Sequence, residues 1–99
     1  MTSPVPGVYN TAATSVGSSP TLIAVVASDD GGVLVQNTGS VSVYLGGPTV
    51  AASGANQGFA LAGTNASVLV PSVGGPPNQL YAITASSTAT VVVLFPSGA

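Results

Sequence analysis

The side chains able to do chemistry are few, and they can be weighed one by one. Asp29 and Asp30 are adjacent and are the only ionisable carboxylates of the side chains. Hard cations such as calcium take carboxylate and carbonyl oxygens, but they need roughly six to eight of them, and two neighbouring aspartates supply too few. Neighbours in sequence also cannot straddle a glycosidic bond as an acid and base pair. Followed by Gly31 and Gly32, the two aspartates read as a tight turn. Serines are plentiful, yet there is no His or Lys to activate one, and no G-x-S-x-G motif occurs. Thr2, exposed as an N-terminal nucleophile once Met1 is removed, would sit in a stretch without a pattern to position it, and is discounted. Tyr9, Tyr44 and Tyr81, with the amides Asn56, Gln57, Asn78 and Gln79, are candidates for a sugar-binding surface on loop tips. The competing reading is that tyrosines on strands are half-buried packing residues with their hydroxyls at the edge. Asn65-Ala66-Ser67 matches the N-glycosylation sequon, which matters only in a secretory pathway. No enzyme, cofactor or metal site is expected from this inventory.

Composition narrows the function further. The 99 residues contain no Lys, Arg, His, Cys or Trp, and the formal net charge is −2. Nucleic-acid binding relies on cations that neutralise phosphates, so it is not expected. Anionic membrane surfaces are disfavoured for the same reason. Zinc and other transition metals want His or Cys. The hydrophobic fraction is 45%, yet no apolar run approaches the ~18 to 20 residues that span a bilayer. Residues 1–10 show neither a basic region nor an apolar core of a secretory signal, so synthesis in a cytoplasm is expected. Soluble domains ordinarily carry a surface about a quarter to a third charged, and a net charge near zero favours association. Assembly is therefore the expectation before any family is considered.

Two expected regions must position these residues. Residues 1–19 hold Pro4, Pro6, Gly7 and Gly17 among Ser, Thr and Ala without clear periodicity, and read as an extended N-terminal arm or, equally, a poorly ordered tail. Val5, Val8, Tyr9 and Val16 are its candidate anchors on a partner. Residues 20–99 read as one β domain. Residues 21–28 are rich in β-branched residues and apolar on both faces, and Asp30-Gly31 suits a type I′ turn that would set Val26 against Val35. Residues 33–47 show the clearest pattern, with Val33 and Val35 before, and Val41, Val43 and Leu45 after, an Asn37-Thr38-Gly39 break. This predicts a core hairpin with Val35 opposite Val41, Val33 opposite Val43, and Gly39 in the left-handed position of a bulge. A short strand and loop over 49–58, strands over 59–62 and 66–70 about a Gly63-Thr64-Asn65 turn, and strands over 80–85 and 89–95 complete the chain. A Ser86-Ser87-Thr88 loop would pair Ile83 with Val91 and Tyr81 with Val93, forcing Thr88 into a left-handed backbone. About seven or eight short strands without an amphipathic helix predict an all-β fold, a single small β-sandwich or jelly-roll-like barrel.

The segments LVQNTGSVSVYLGG (34–47), FALAG (59–63), SVLVP (67–71) and LYAITASSTATVVVL (80–94) together resemble the small β-rich virion proteins of tailed bacteriophages, particularly those of actinobacteria. The resemblance covers roughly residues 21–95; the last turn departs from it, having Ser86-Ser87-Thr88 where a glycine is expected. It implies a capsid decoration protein on the outer surface of the virion, made in the host cytoplasm. The implied partners are itself, as a homotrimer, and the major capsid protein of a phage head. The same motifs resemble modules of head and tail fibres, which leaves a second expectation, a fibre or tail-tip module that recognises host surface carbohydrate.

Overall fold

The computed structural model describes residues 8–26, 32–71 and 78–97. Eight strands and no helix occur among them: β1 (Val8–Val16), β2 (Thr21–Val26), β3 (Val33–Asn37), β4 (Val43–Gly46), β5 (Phe59–Leu61), β6 (Ala66–Val70), β7 (Asn78–Thr84) and β8 (Ala89–Ser97). They form two four-stranded sheets, sheet I in the order β1-β8-β3-β6 and sheet II in the order β2-β7-β4-β5, with every strand pair antiparallel. This order is that of a jelly roll, two Greek keys wrapped into a sandwich. Successive strands switch sheets at each step except β4 to β5.

Alternation decides which side chains are inside. Val33 and Val35 on β3, Val43 and Leu45 on β4, and Val91 and Val93 on β8 point between the sheets and are buried, together with Val16, Ile23, Val26, Leu61, Ala82 and Ala89. Val68 and Val70 of β6 share the inward face, as their spacing predicts, and pack against this cluster with Val41. In β2 the register shifts between Leu22 and Ala24, so that Ile23 and Ala24 both turn toward the core before alternation resumes at Val25 and Val26.

The expected hairpin over 33–47 is corrected by this topology. β3 and β4 lie in different sheets: Val35 pairs with Val68 and Val93, whereas Val43 pairs with Leu61 and Thr84. The five residues Val33, Val35, Val41, Val43 and Leu45 do face one core, but from opposite sides of it. Period-2 alternation specifies a face and not a neighbour, and inward valines look alike whether they meet beside one another or across the sandwich. The Asn37-Thr38-Gly39 break is a crossover. Gly39 does not take a left-handed backbone; its need for glycine is close approach, since a Cβ there would lie 2.7 Å from Cβ of Ala89.

Three further pairings are corrected for the same reason, the first being Tyr81, which pairs with Leu22 and Gly46 rather than Val93. Val26 pairs with Asn78 rather than Val35, and Ile83 pairs with Tyr44 rather than Val91. The expected turn at Asp29, Asp30 and Gly31 lies outside the described residues. Thr88 is not left-handed; among the described residues the non-glycine ones with positive φ are Thr64 (63°) and Asn65 (69°), in the turn before β6. From Val8 on, the segment expected as an arm is the edge strand of sheet I, paired with β8 along its whole length, and Val16 is fully buried in the domain's own core.

Hydrogen bonds explain why the crossover holds. The fully buried Asn37 side chain donates from Nδ2 to the carbonyls of Val41 (2.7 Å) and Leu61 (3.1 Å), and its Oδ1 accepts from the Gly39 amide (3.0 Å). Its backbone carbonyl accepts from the amide of Asn65 (2.8 Å), and Gly39 accepts from Thr64 (2.7 Å). The Asn37 side chain thus ties the β3–β4 crossover to β5, and the Asn37 and Gly39 backbone carbonyls tie it to the β5–β6 turn. These bonds hold Thr64 and Asn65 in a backbone region that costs ~1–3 kcal/mol for such residues. At the neighbouring turn, the Thr84 hydroxyl donates to the Ser87 carbonyl and the Thr84 amide to that of Gly17 (2.8 Å).

Candidate interaction surfaces

With the core so assigned, the remaining strand positions define two outer faces. On sheet I the cross-strand register sets Leu69 of β6 opposite Leu34 of β3, and Leu34 opposite Leu94 of β8. The three leucines form a row across three adjacent strands. Leu69 is 63% exposed and Leu34 37%, with Leu94 partly covered. A shallow cavity of about 250 Å³ runs beside the row, lined by Leu34, Leu94 and Val92 with Thr11, Gln36 and Ser67. Tyr9 of β1 lies on the same face and is 76% exposed.

Sheet II presents a different outer face. There Ile83 of β7 stands opposite Tyr44 of β4, two positions along from Tyr81 on its own strand, and is only 7% exposed. Tyr44 and Tyr81 are themselves half-buried. Half-burial fits the packing role of strand tyrosines, which join an apolar ring to a polar hydroxyl.

The two flanks of the sandwich are apolar clefts. Between β5 and β6 lies a cavity of about 330 Å³ lined by Leu45, Phe59, Val68, Leu69, Val70 and Leu80, with Phe59 62% exposed at its rim. On the opposite flank, between β1 and β2, a smaller cavity of about 130 Å³ is lined by Ala12, Ile23, Ala24, Val26, Val33 and Phe95.

The structure does not gather the residues proposed for sugar binding. Tyr9 lies on the outer face of sheet I, Tyr44 and Tyr81 on that of sheet II, and Asn56 and Gln57 on the exposed loop between β4 and β5. Asn78 and Gln79 begin β7. Of the arm anchors, Val16 is unavailable to a partner, Tyr9 is available, Val8 begins β1, and Val5 lies outside the described residues. The leucine row was missed by sequence reasoning, although a signal existed: Leu34 sits between Val33 and Val35, and Leu69 between Val68 and Val70, so inward valines require outward leucines.

Among the described residues the surface offers hydroxyls, amides, phenols and backbone groups, without an ionisable acid or base of ordinary strength. No described helix is long and apolar enough to cross a membrane. Compared with family models, with curated proteins and with solved structures, the chain has no match in any of the three.

Proposed function

We propose that this protein is a structural component of a phage virion, a homo-oligomer that decorates and reinforces the outer surface of the capsid. The observation that carries the assembling role is the leucine row Leu69–Leu34–Leu94, left open to solvent on a chain that has almost no charge. Fully covering a leucine contributes about 1.5–3 kcal/mol, so a partner seated on this row gains substantially without any ion pair. The step from assembly to capsid rests on the sequence resemblance, which also implies the three-fold symmetry and the major capsid protein as second partner. Fold alone carries neither, since jelly rolls serve many functions.

The alternative, a fibre or tail-tip module that recognises host carbohydrate, draws on Tyr44 and Tyr81 sharing the outer face of sheet II. Copy number separates the two. Quantitative mass spectrometry of purified virions is expected to find the protein at the copy number of a capsid lattice. A few copies per particle would move the assignment to a fibre, and absence from virions would overturn both.

A further inference from the structure

A sandwich of two open sheets has four edge strands, and an edge left unprotected is a template for another strand. Three of the four edges here are blunted. β2 is broken by its bulge at Ile23, and β5 is three residues long. β6 has five residues, entered through left-handed Thr64 and Asn65 and followed by Pro71.

β1 has none of these devices. Its nine residues, VYNTAATSV, pair with β8 in an unbroken register and include no charge and no proline. No described strand pairs with its other side. At ~3.4 Å per residue this leaves an edge roughly 30 Å long whose outward amides and carbonyls are unmatched by any strand. Beside it opens the apolar flank cavity lined by Ala12, Ile23 and Phe95, across whose mouth an added strand would lie.

We propose that β1 pairs antiparallel with β1 of a second copy of this chain, about a two-fold axis at Ala12. A second copy is the occupant the strand itself favours. Centring the axis on Ala12 pairs all nine residues, Val8 with Val16 and Tyr9 with Ser15, and keeps inward positions opposite inward ones. A one-residue slip would break that match of faces. The seam is built of small side chains, with Ala12 facing its own copy and Thr11 facing Ala13, so two sheets can join without a clash. The residues before β1 are poorer candidates for this edge, because Pro4 and Pro6 have no amide proton to donate. Sheet I then continues through the axis into its copy, and both leucine rows lie on the same side of the joined sheet. This contact uses an edge and stands apart from the coat reading, which uses a face.

Cysteine cross-linking tests the axis directly, in a chain with no cysteine of its own. Opposed residues of an antiparallel pair have Cα atoms about 4.5–5.5 Å apart, within disulfide range. Ala12→Cys should therefore give a covalent dimer on mild oxidation. Asn10→Cys, whose copies would stand roughly 13 Å apart, should not. In parallel, the double variant Thr11→Lys/Ala13→Lys, which sets like charges across the seam, should weaken dimerisation at least tenfold while unfolding stays cooperative. Leu34→Ser/Leu69→Ser in the Ala12→Cys background should leave the cross-link unchanged, which separates failure of this proposal from failure of the coat reading. Equal cross-linking at both positions, or none at Ala12→Cys, would overturn it.

Discussion

The outer faces of the two sheets are built from the same kind of strand and are finished differently. Sheet II flanks Ile83 with Tyr44 and Tyr81 and leaves it 7% exposed; sheet I sets Leu69, Leu34 and Leu94 in a row and leaves the first of them 63% exposed. Tyrosine lets an apolar surface meet water through its hydroxyl, and leucine does not. Sheet II thus covers its outer face within the chain at the centre, on β7 and β4, while Leu22 (42% exposed) and Val25 (56%) stay open on its edge strand β2. Sheet I instead leaves a leucine row open across three adjacent strands, its centre included, which is why the association argument rests on that face.

The largest effect should come from the core on which both faces depend. Val43 is fully buried, and Val43→Asp would place an unpaired carboxylate among apolar groups, at a cost of several kcal/mol against a total stability of about 5–15 kcal/mol. The protein should be recovered unfolded or aggregated, and a soluble, cooperatively unfolding variant would show that β4 faces the other way. Next is Asn37→Ala, which strips partners from the Val41 and Leu61 carbonyls and the Gly39 amide at the crossover between the sheets. A loss of roughly 3 kcal/mol is expected in denaturant unfolding. A loss under ~1 kcal/mol would mean that water replaces the side chain there without strain.

The comparison itself is sharpened by matched variants on the two faces. Ile83→Ser should cost about 2–3 kcal/mol of folding stability, because the site is buried within the chain. Leu69→Ser should change the stability of the isolated domain by no more than about 0.5 kcal/mol and should instead weaken association. Equal effects on stability from both would erase the distinction between the covered centre of sheet II and the open row of sheet I. The smallest effect concerns the turn that feeds β6. Thr64→Gly should raise stability by about 1 kcal/mol, since glycine adopts the left-handed backbone without Cβ strain. A lowered melting temperature would mean that the threonine side chain contributes something the backbone angles do not reveal.

How much of this was legible in the sequence divides along a physical line. The positions of most strands follow from β-branched alternation and from Gly, Pro and Asn between the runs; residues 66–70 are a strand with the bounds their pattern suggests. The partners of those strands do not follow. Val35 reads the same beside Val41 or beside Val93, and only the two packed sheets decide. Asn37 illustrates the limit, for an Asn/Gly break signals a turn while its buried side chain serves a crossover. β1 was hidden for another reason: small and polar residues on both faces of an edge strand leave little alternation to detect. The leucine row was implicit in the valine spacing, but its continuity across β6, β3 and β8 needs the register.

The central claim is that the chain assembles through uncharged surface, and its mass in solution tests this most directly. Sedimentation or light scattering at micromolar concentration should report a multiple of the 9.4 kDa chain. That multiple should persist from low to high sodium chloride, because a surface without cations builds no ion-pair network for salt to screen. A single chain's mass with a sharp unfolding transition, or dissociation driven by moderate salt alone, would contradict the account.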